Sequence, residues 1–102
     1  MNTTKLYQLL KKVPKGKVTT YKALAQALGT QAYQAVGQAM KNNPYAPKVP
    51  CHRVVKSDGS IGGFMGKTRG PAIRKKKKLL QKEGIKFDED KIKNFEEIIE
   101  KL

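Results

Sequence analysis

The pair Cys51-His52 is the part of this sequence with the clearest chemical potential, because it holds the only cysteine and the only histidine of the 102 residues. A thiol becomes a strong nucleophile when a neighbouring base or cation favours the thiolate. Pro50 restrains the backbone that leads into Cys51. Consecutive side chains on an extended segment point to opposite faces, so the pair meets only across a turn or through water. Taken alone, these residues leave two interpretations open: a reactive thiol, or a small buried cysteine beside a hydrogen-bonding histidine.

The charge of the chain points to a polyanionic partner. The formal net charge is +14, and no acidic side chain precedes Asp58. Residues 1–83 hold 18 Lys and Arg against two acids, a balance of +16, whereas residues 84–102 hold four Lys against six acids, a balance of −2. Such a positive field attracts nucleic acid. A lysine-rich surface that serves solubility or heat adaptation is the alternative.

The run 74–78 is the densest group of cations, with one Arg followed by four Lys. Five consecutive residues wrap most of the way around a helix. We therefore expect only some of them to reach phosphate, and the others to form a solvated face.

Length and composition predict one compact domain over residues 1–102, in a monomer. A lone cysteine excludes an internal disulfide framework, and one Cys with one His cannot supply a structural zinc site. No apolar run approaches the roughly 20 residues that span a bilayer, and the N-terminus lacks a signal-peptide core. We expect a reduced, cytoplasmic protein without a metal, a cofactor or a membrane.

Hydrophobic spacing predicts several helices, and Pro and Gly residues mark where they begin or end. We expect a first helix that ends at 14–16, a second over 21–28 capped by Thr19 or Thr20, a third over 31–41 and a fourth over 71–83. The first helix carries its apolar residues at helical spacing: Leu6, Leu9, Leu10 and Val13. The second and third helices, joined by a few residues that include Gly29, are typical of a helix-turn-helix.

Short strands complete the prediction. Val54-Val55 and Ile61 flank the turn-rich stretch 56–60, which favours a small β hairpin or wing. Ile85 and Phe87 alternate like a strand. Asn94 with Glu97 resembles a capping box, and the last helix carries four apolar residues: Phe95, Ile98, Ile99 and Leu102. The expected fold is mainly α, a winged-helix-like helix-turn-helix domain.

The third helix is rich in small residues, among them Gly37. A glycine inside a helix costs about 1 kcal/mol relative to alanine. Tight packing on the second helix and close approach to DNA are the two explanations, and both can hold at once.

Several motifs together resemble the O6-alkylguanine-DNA alkyltransferases, a family of DNA repair proteins that accept alkyl groups on their own cysteine. The matching stretches, in chain order from about Pro14 to Gly84, are Pro50-Cys51-His52-Arg53-Val54-Val55, preceded by Gly16-Lys17-Val18-Thr19-Thr20-Tyr21, Ala35-Val36-Gly37-Gln38-Ala39-Met40 and Asn43-Pro44, and followed by Gly59, Gly62-Gly63 and Leu79-Leu80-Gln81-Lys82-Glu83-Gly84. The ordered series makes chance a poor explanation.

The resemblance implies roles for individual residues. Cys51 accepts the alkyl group, His52 acts as base through water, Glu83 orients His52, Asn43 supports the turn and Tyr21 hydrogen-bonds the extruded base. The residues implied to contact DNA are Thr20, Tyr33, Gln34, Ala35, Gly37, Lys41 and Arg53. Those implied to line the substrate pocket are Met40, Val54, Gly63, Phe64 and Met65. The implied partner is double-stranded DNA that contains O6-alkylguanine, and the implied reaction is a single turnover without cofactor.

The sequence departs from the family pattern at three positions. Gln34 stands where the family usually has an arginine that fills the gap left by the extruded nucleotide, so Tyr33 is an alternative wedge. Phe64 and Met65 stand where Tyr and Ser are common. Two alternatives to an alkyl acceptor therefore remain: a non-catalytic lesion sensor that resembles the alkyltransferase-like proteins, and a helix-turn-helix regulator with an inert Cys51.

Overall fold

The computed structural model describes residues 3–31, 33–41, 50–63 and 70–100. In chain order the elements are α1 (Thr3–Lys11), β1 (Thr19–Thr20), α2 (Tyr21–Ala27), α3 (Tyr33–Lys41), β2 (Val54–Val55), α4 (Pro71–Lys82), β3 (Phe87–Asp88), β4 (Lys91–Ile92) and α5 (Phe95–Ile98). One turn of 3₁₀ helix, Cys51–Arg53, leads directly into β2. About half of the chain is helical, and the described strands form two small sheets. None of the described helices is long and apolar enough to cross a membrane.

The first four predicted helices are confirmed, and local chemistry explains their ends. The hydroxyl oxygen of Thr20 accepts from the backbone N–H of Ala23 at 3.0 Å, which caps α2. Pro71 occupies the first turn of α4, where its missing N–H costs nothing. Gly84 follows α4 with φ +91°, a conformation that glycine adopts without strain.

Strand β2 pairs in parallel with β1, in a register that sets Thr19 opposite Val54 and Thr20 opposite Val55. Parallel strands need a long crossover, which here contains α2 and α3. Val54 and Val55 therefore pair with β1 rather than across the turn 56–60, and that turn is closed by the N–H of Lys56, which donates to the carbonyl of Ser60 at 3.0 Å. Val54 and Val55 are both fully buried, which is typical of a parallel strand covered on both faces. The antiparallel hairpin of the described chain is β3–β4 instead.

Two hydrophobic clusters hold these elements. The first joins α1, α2, α3 and β2 through Leu6, Leu10, Leu24, Ala25, Val36, Ala39, Met40 and Val54. Tyr21 and Cys51 pack against its edge. The second joins the β1–β2 sheet to α4 and the C-terminal segment through Val18, Val55, Leu80, Ile85 and Ile92. Strand β2 thus contributes one valine to each cluster, Val54 to the first and Val55 to the second, and β1 is preceded by the buried Val18.

The expected capping box before the last helix is wrong. Asn94 adopts a left-handed conformation with φ +47°, and its side chain does not cap α5. The helix is a single turn, because Ile99 leaves it to bridge Val18 and the N–H of Glu100 donates to the carbonyl of Val18 at 2.7 Å. Leu102 lies outside the described residues. The segment is thus tied to the residue that precedes β1.

Candidate active site

Cys51 begins the 3₁₀ turn that enters β2. Pro50 precedes the turn, and its carbonyl accepts from the N–H of Arg53 at 3.0 Å. The Cys51 carbonyl accepts from the N–H of Val54, which closes the turn. The thiol is free and half-buried, whereas His52 is buried. The turn thus leaves the sulfur at the edge of the core and directs the imidazole inward.

The imidazole of His52 contacts Glu83 at the end of α4. Its Nε2 lies 3.0 Å from Oε2 of Glu83. The side chains retain only 4% and 12% of their exposure, so water competes weakly for this contact. The carboxylate accepts when Nε2 carries the proton, which leaves Nδ1 as the basic nitrogen. The implied pairing of His52 with Glu83 is therefore present in the fold.

Arg53 secures the other side of Glu83. Its Nε and Nη2 donate to the two carboxylate oxygens at 2.9 and 2.7 Å, and its Nη1 donates to the carbonyl of Val13 at 2.8 Å. Such a two-pronged contact fixes the orientation of a carboxylate. In the fold Arg53 holds Glu83 for His52, and its contact with DNA stays a prediction.

The pKa of Glu83 reflects two opposing effects. Burial alone raises the pKa, but the hydrogen bonds from Arg53 and His52 outweigh it, and the pKa lies below its usual value of 4.5. Glu83 is therefore anionic at neutral pH, as a partner that stabilises the protonated form of His52 must be.

Lys76 is a member of the site that sequence reasoning missed. It is the largest fully buried side chain among the described residues. Its ammonium donates to the carbonyls of Val54, Ile61 and Gly63 at 2.6, 2.5 and 2.9 Å. These three acceptors match the three donors of a lysine ammonium. Lys76 therefore connects α4 both to β2 and to the segment 61–63.

The signal for this burial was present in the sequence. Lys76 stands four residues before the fully buried Leu80 and seven before Glu83, which is the spacing of one helix face. The run 74–78 masks this signal, because the neighbouring Arg74 and Lys75 are exposed.

Tyr21 lies beside Lys76 at the start of α2. The phenol donates to the carbonyl of Gly63 at 3.1 Å, the same oxygen that accepts from Lys76. The Nζ of Lys76 is 5.9 Å from the centre of the Tyr21 ring, within the range of a cation–π contact. Gly63 is thus a shared acceptor between α2 and α4.

Burial and the nearby cysteine set the pKa values of both groups. Burial raises the pKa of Tyr21 to about 12, the electrostatic effect of the nearby Cys51 adds to the rise, and the bond to Gly63 opposes it. Burial lowers the pKa of Lys76 to about 7, and the electrostatic effect of Cys51 opposes that shift. Tyr21 therefore stays protonated at neutral pH, and Lys76 holds its proton less tightly than an exposed lysine does.

The outer face of α3 presents three of the residues expected to contact DNA. Gln34 and Lys41 are exposed and Gly37 is half-buried, at helical spacing. A methyl group added at Gly37 would have no described atom within 4 Å. Packing against the described residues outside its own helix therefore does not explain this glycine, and the alternative of close approach from outside is favoured.

Other predicted residues have different surroundings. Ala35 is half-buried, and Met40 belongs to the core cluster against which Cys51 packs. Thr20 is 4% exposed and its hydroxyl oxygen caps α2, so its side chain is poorly placed for the predicted DNA contact. Four expectations lie outside the described residues: Asn43, Phe64, Met65 and the side chain of Tyr33. Among the described residues, no three His, Cys, Asp or Glu side chains lie together as metal ligands do.

Comparison with known proteins identifies relatives of this site. Residues 2–85 match the family model described as the DNA-binding domain of 6-O-methylguanine DNA methyltransferase. A methylated-DNA–protein-cysteine methyltransferase of Pyrobaculum aerophilum is 50% identical over 72 residues, which are 71% of this chain and 45% of that protein. The chain spans about half the length of the curated relatives it matches.

Two solved structures are similar over most of the chain. Atl1 of S. pombe, crystallised with damaged DNA that contains O6-carboxymethylguanine, has a TM-score of 0.76 at 32% identity and covers 98% of this chain and 94% of its own. The O6-methylguanine-DNA methyltransferase of Pyrococcus kodakaraensis has a TM-score of 0.69 at 49% identity, over 81% of this chain and 46% of its own.

Proposed function

This chain belongs to the O6-methylguanine DNA methyltransferase family, and on that premise we propose that it repairs DNA by moving an alkyl group from O6 of guanine to its own Cys51. The observation that carries the proposal is the hydrogen bond between His52 and an anionic Glu83, next to a free and half-buried thiol. A base oriented by a carboxylate is the arrangement that activates a thiol.

The proposed reaction is a displacement at the alkyl carbon. His52 takes the thiol proton through a water molecule, and Glu83 stabilises the imidazolium that results. The Cys51 thiolate then forms a bond to the alkyl carbon while the bond from that carbon to O6 breaks. The electron pair remains on the guanine, which regains a proton with help from the Tyr21 hydroxyl.

The product determines the stoichiometry. A thioether on Cys51 has no good leaving group, and the reaction needs no cofactor. Each molecule therefore acts once, as both acceptor and catalyst.

DNA binding is the second part of the proposal. Support comes from the balance of +16 in residues 1–83 and from the exposed face of α3, which carries Gln34, Gly37 and Lys41. We take α3 as the helix that enters a groove of the duplex, with the turn 56–60 as the wing of a winged-helix-like domain. The target base leaves the stack to reach Cys51.

Intact mass spectrometry tests the proposal. The chain is mixed with a duplex that contains one O6-methylguanine, and we expect the protein to gain the mass of one methyl group. Cys51→Ala should bind the duplex and gain no mass. An unchanged mass for the unmodified chain, with the lesion duplex still bound, would replace this proposal with a lesion sensor.

A further inference from the structure

A groove of about 450 Å³ opens beside Tyr21. It is lined by Tyr21, Lys22, Lys56, Ser57 and Asp58. The parallel register explains why Tyr21 and Lys56 line one groove. Thr20 lies opposite Val55, and Tyr21 and Lys56 are the residues that follow these two strand ends. The groove is therefore fixed by the same strand pair that positions the active site.

Two cations of the groove are unengaged. Lys22 and Lys56 are exposed, and neither ammonium makes a hydrogen bond or ion pair within the ranges that the structure covers. Other lysines behave differently: Lys17 and Lys77 each donate to a backbone carbonyl. The groove thus offers two positive charges to a ligand from outside.

Gly62 keeps one of these lysines against the tyrosine. A Cβ at this glycine would lie 3.2 Å from Cε2 of Tyr21 and 3.5 Å from Cγ of Lys56. The aromatic ring and the aliphatic part of the lysine therefore flank the same backbone, which has φ +72°.

Asp58 is the acid of the groove, and its carboxylate is turned toward Ser60. Its Oδ1 accepts from the N–H and the hydroxyl of Ser60 at 2.9 and 2.6 Å. These two hydrogen bonds lower the pKa of Asp58, and the charges of Lys91 and Lys56 add to the effect. Asp58 therefore remains anionic at neutral pH, and its negative charge weakens the binding of an anion in the groove.

We propose that Lys22 and Lys56 bind the backbone phosphates on either side of the extruded nucleotide, in the groove next to Tyr21. The inference rests on the proposed function, because a base held at Tyr21 must bring its own sugar and phosphates to the adjoining surface. Two exposed lysines whose ammonium groups make no hydrogen bond or ion pair with the described residues are suited to phosphate as point charges. The Ser57 hydroxyl, at the same rim, can donate a further hydrogen bond.

The experiment uses two groove variants, Lys22→Ala and Lys56→Ala. The control variants, Lys86→Ala and Lys93→Ala, each remove one positive charge from an exposed lysine that does not line the groove. Affinity for the O6-methylguanine duplex is measured over a range of salt concentrations. Each groove variant should weaken binding several-fold and reduce the slope of log affinity against log salt by about 1. The control variants should leave the slope unchanged.

Neutral phosphates locate the contact. A set of duplexes carries one methylphosphonate at each phosphate near the lesion in turn. For the unmodified chain, one or two positions next to the lesion should weaken binding, and in the groove variants those same positions should have no further effect. Losses that add at every position, or groove variants that bind as the control variants do, would overturn the inference.

Two more measurements separate this inference from the proposed function. The free base O6-methylguanine carries no phosphate, so the groove variants should react with it at the unmodified rate; a slower reaction would count against a phosphate contact. Asp58→Asn should tighten duplex binding, the opposite sign to the lysine variants. If the unmodified chain binds the lesion duplex without gaining a methyl group, the transfer proposal fails while the methylphosphonate pattern still decides the inference.

Discussion

Nε2 of His52 and Oε2 of Glu83 lie 3.0 Å apart although 31 residues separate them in the chain. The contact depends on the end of α4 meeting the turn before β2, and Arg53 holds the same carboxylate from the other side. A base that acts on Cys51 is thus oriented by two elements distant in sequence.

Replacing this carboxylate should slow alkyl transfer. Glu83→Gln keeps the shape and removes the charge that stabilises the imidazolium, so we expect a loss of about 10² in the single-turnover rate with the lesion duplex at neutral pH. Rapid mixing followed by mass analysis measures the rate. The loss should shrink at alkaline pH, where hydroxide forms the thiolate without His52; a loss that is constant with pH would contradict a role in proton transfer.

Lys76 should make the stability of the protein depend on alkaline pH. The folded protein releases the Lys76 proton near pH 7, whereas an unfolded chain holds it until about 10.5. Between these values the unfolded state binds more protons, so the free energy of unfolding rises with pH, by up to about 1.4 kcal/mol per unit. Urea denaturation at several pH values from 7 to 10 should show this rise for the unmodified chain and not for Lys76→Met.

Lys75→Met is the matched control, since Lys75 is exposed in the same helix. It should keep the rise in stability. The pH range stops at 10 because Tyr21, whose pKa is about 12 when folded and 10 when free, removes stability above that pH. Equal slopes for Lys76→Met and the unmodified chain would show that the buried amine does not titrate as described.

Gly37→Ala should separate stability from DNA binding. The added methyl meets nothing in the described protein, and alanine is the better helix former, so the free energy of unfolding should increase by about 0.5–1 kcal/mol. Affinity for duplex DNA should nevertheless fall, because the methyl occupies the space through which the backbone approaches DNA. Chemical denaturation and a binding titration of one preparation give both values, and unchanged affinity would return Gly37 to a purely local role.

Arg53→Lys should be costly for folding rather than for DNA contact. Lysine cannot reproduce the two bonds to Glu83 together with the bond to Val13, and we expect a loss of roughly 1.5–3 kcal/mol in the free energy of unfolding. Lys41→Ala on the exposed face of α3 is the comparison: it should lower the salt dependence of DNA binding and leave stability within about 0.5 kcal/mol. If Arg53→Lys instead reduced the slope of log DNA affinity against log salt, that result would support the predicted contact of Arg53 with DNA.

Periodicity and punctuation were enough to predict the first four helices. Leu6, Leu10 and Val13 are all buried as their spacing requires, and Thr20 caps α2. The β1–β2 pair was beyond such reasoning, because a strand of two residues has no alternation to detect. Asn94 matched a capping pattern, but the chain after α5 is drawn to Val18, and that tertiary pairing overrides the local preference.

The site divides in the same way. Cys51 and His52 were identifiable as the lone members of their types, whereas the partnership with Glu83 came from family resemblance. Spacing in sequence does not report contacts between α4 and a turn 31 residues earlier. Lys76 was hidden by its charge, since a lysine is almost never fully buried unless it is paired, and its partners here are backbone carbonyls that no sequence pattern displays.

The carbonyl of Gly63 has two donors, and this makes the arrival of a base an exchange. When a guanine claims the Tyr21 hydroxyl, Gly63 loses one bond but keeps the one from Lys76. If Tyr21 were the only donor to this carbonyl, the loss of its hydrogen bond would leave a buried acceptor unsatisfied, at a considerable cost in free energy. Because the Lys76 ammonium still donates to this oxygen, the Tyr21 hydroxyl can transfer its hydrogen bond to the guanine at a small cost in free energy, and Gly63 need not move.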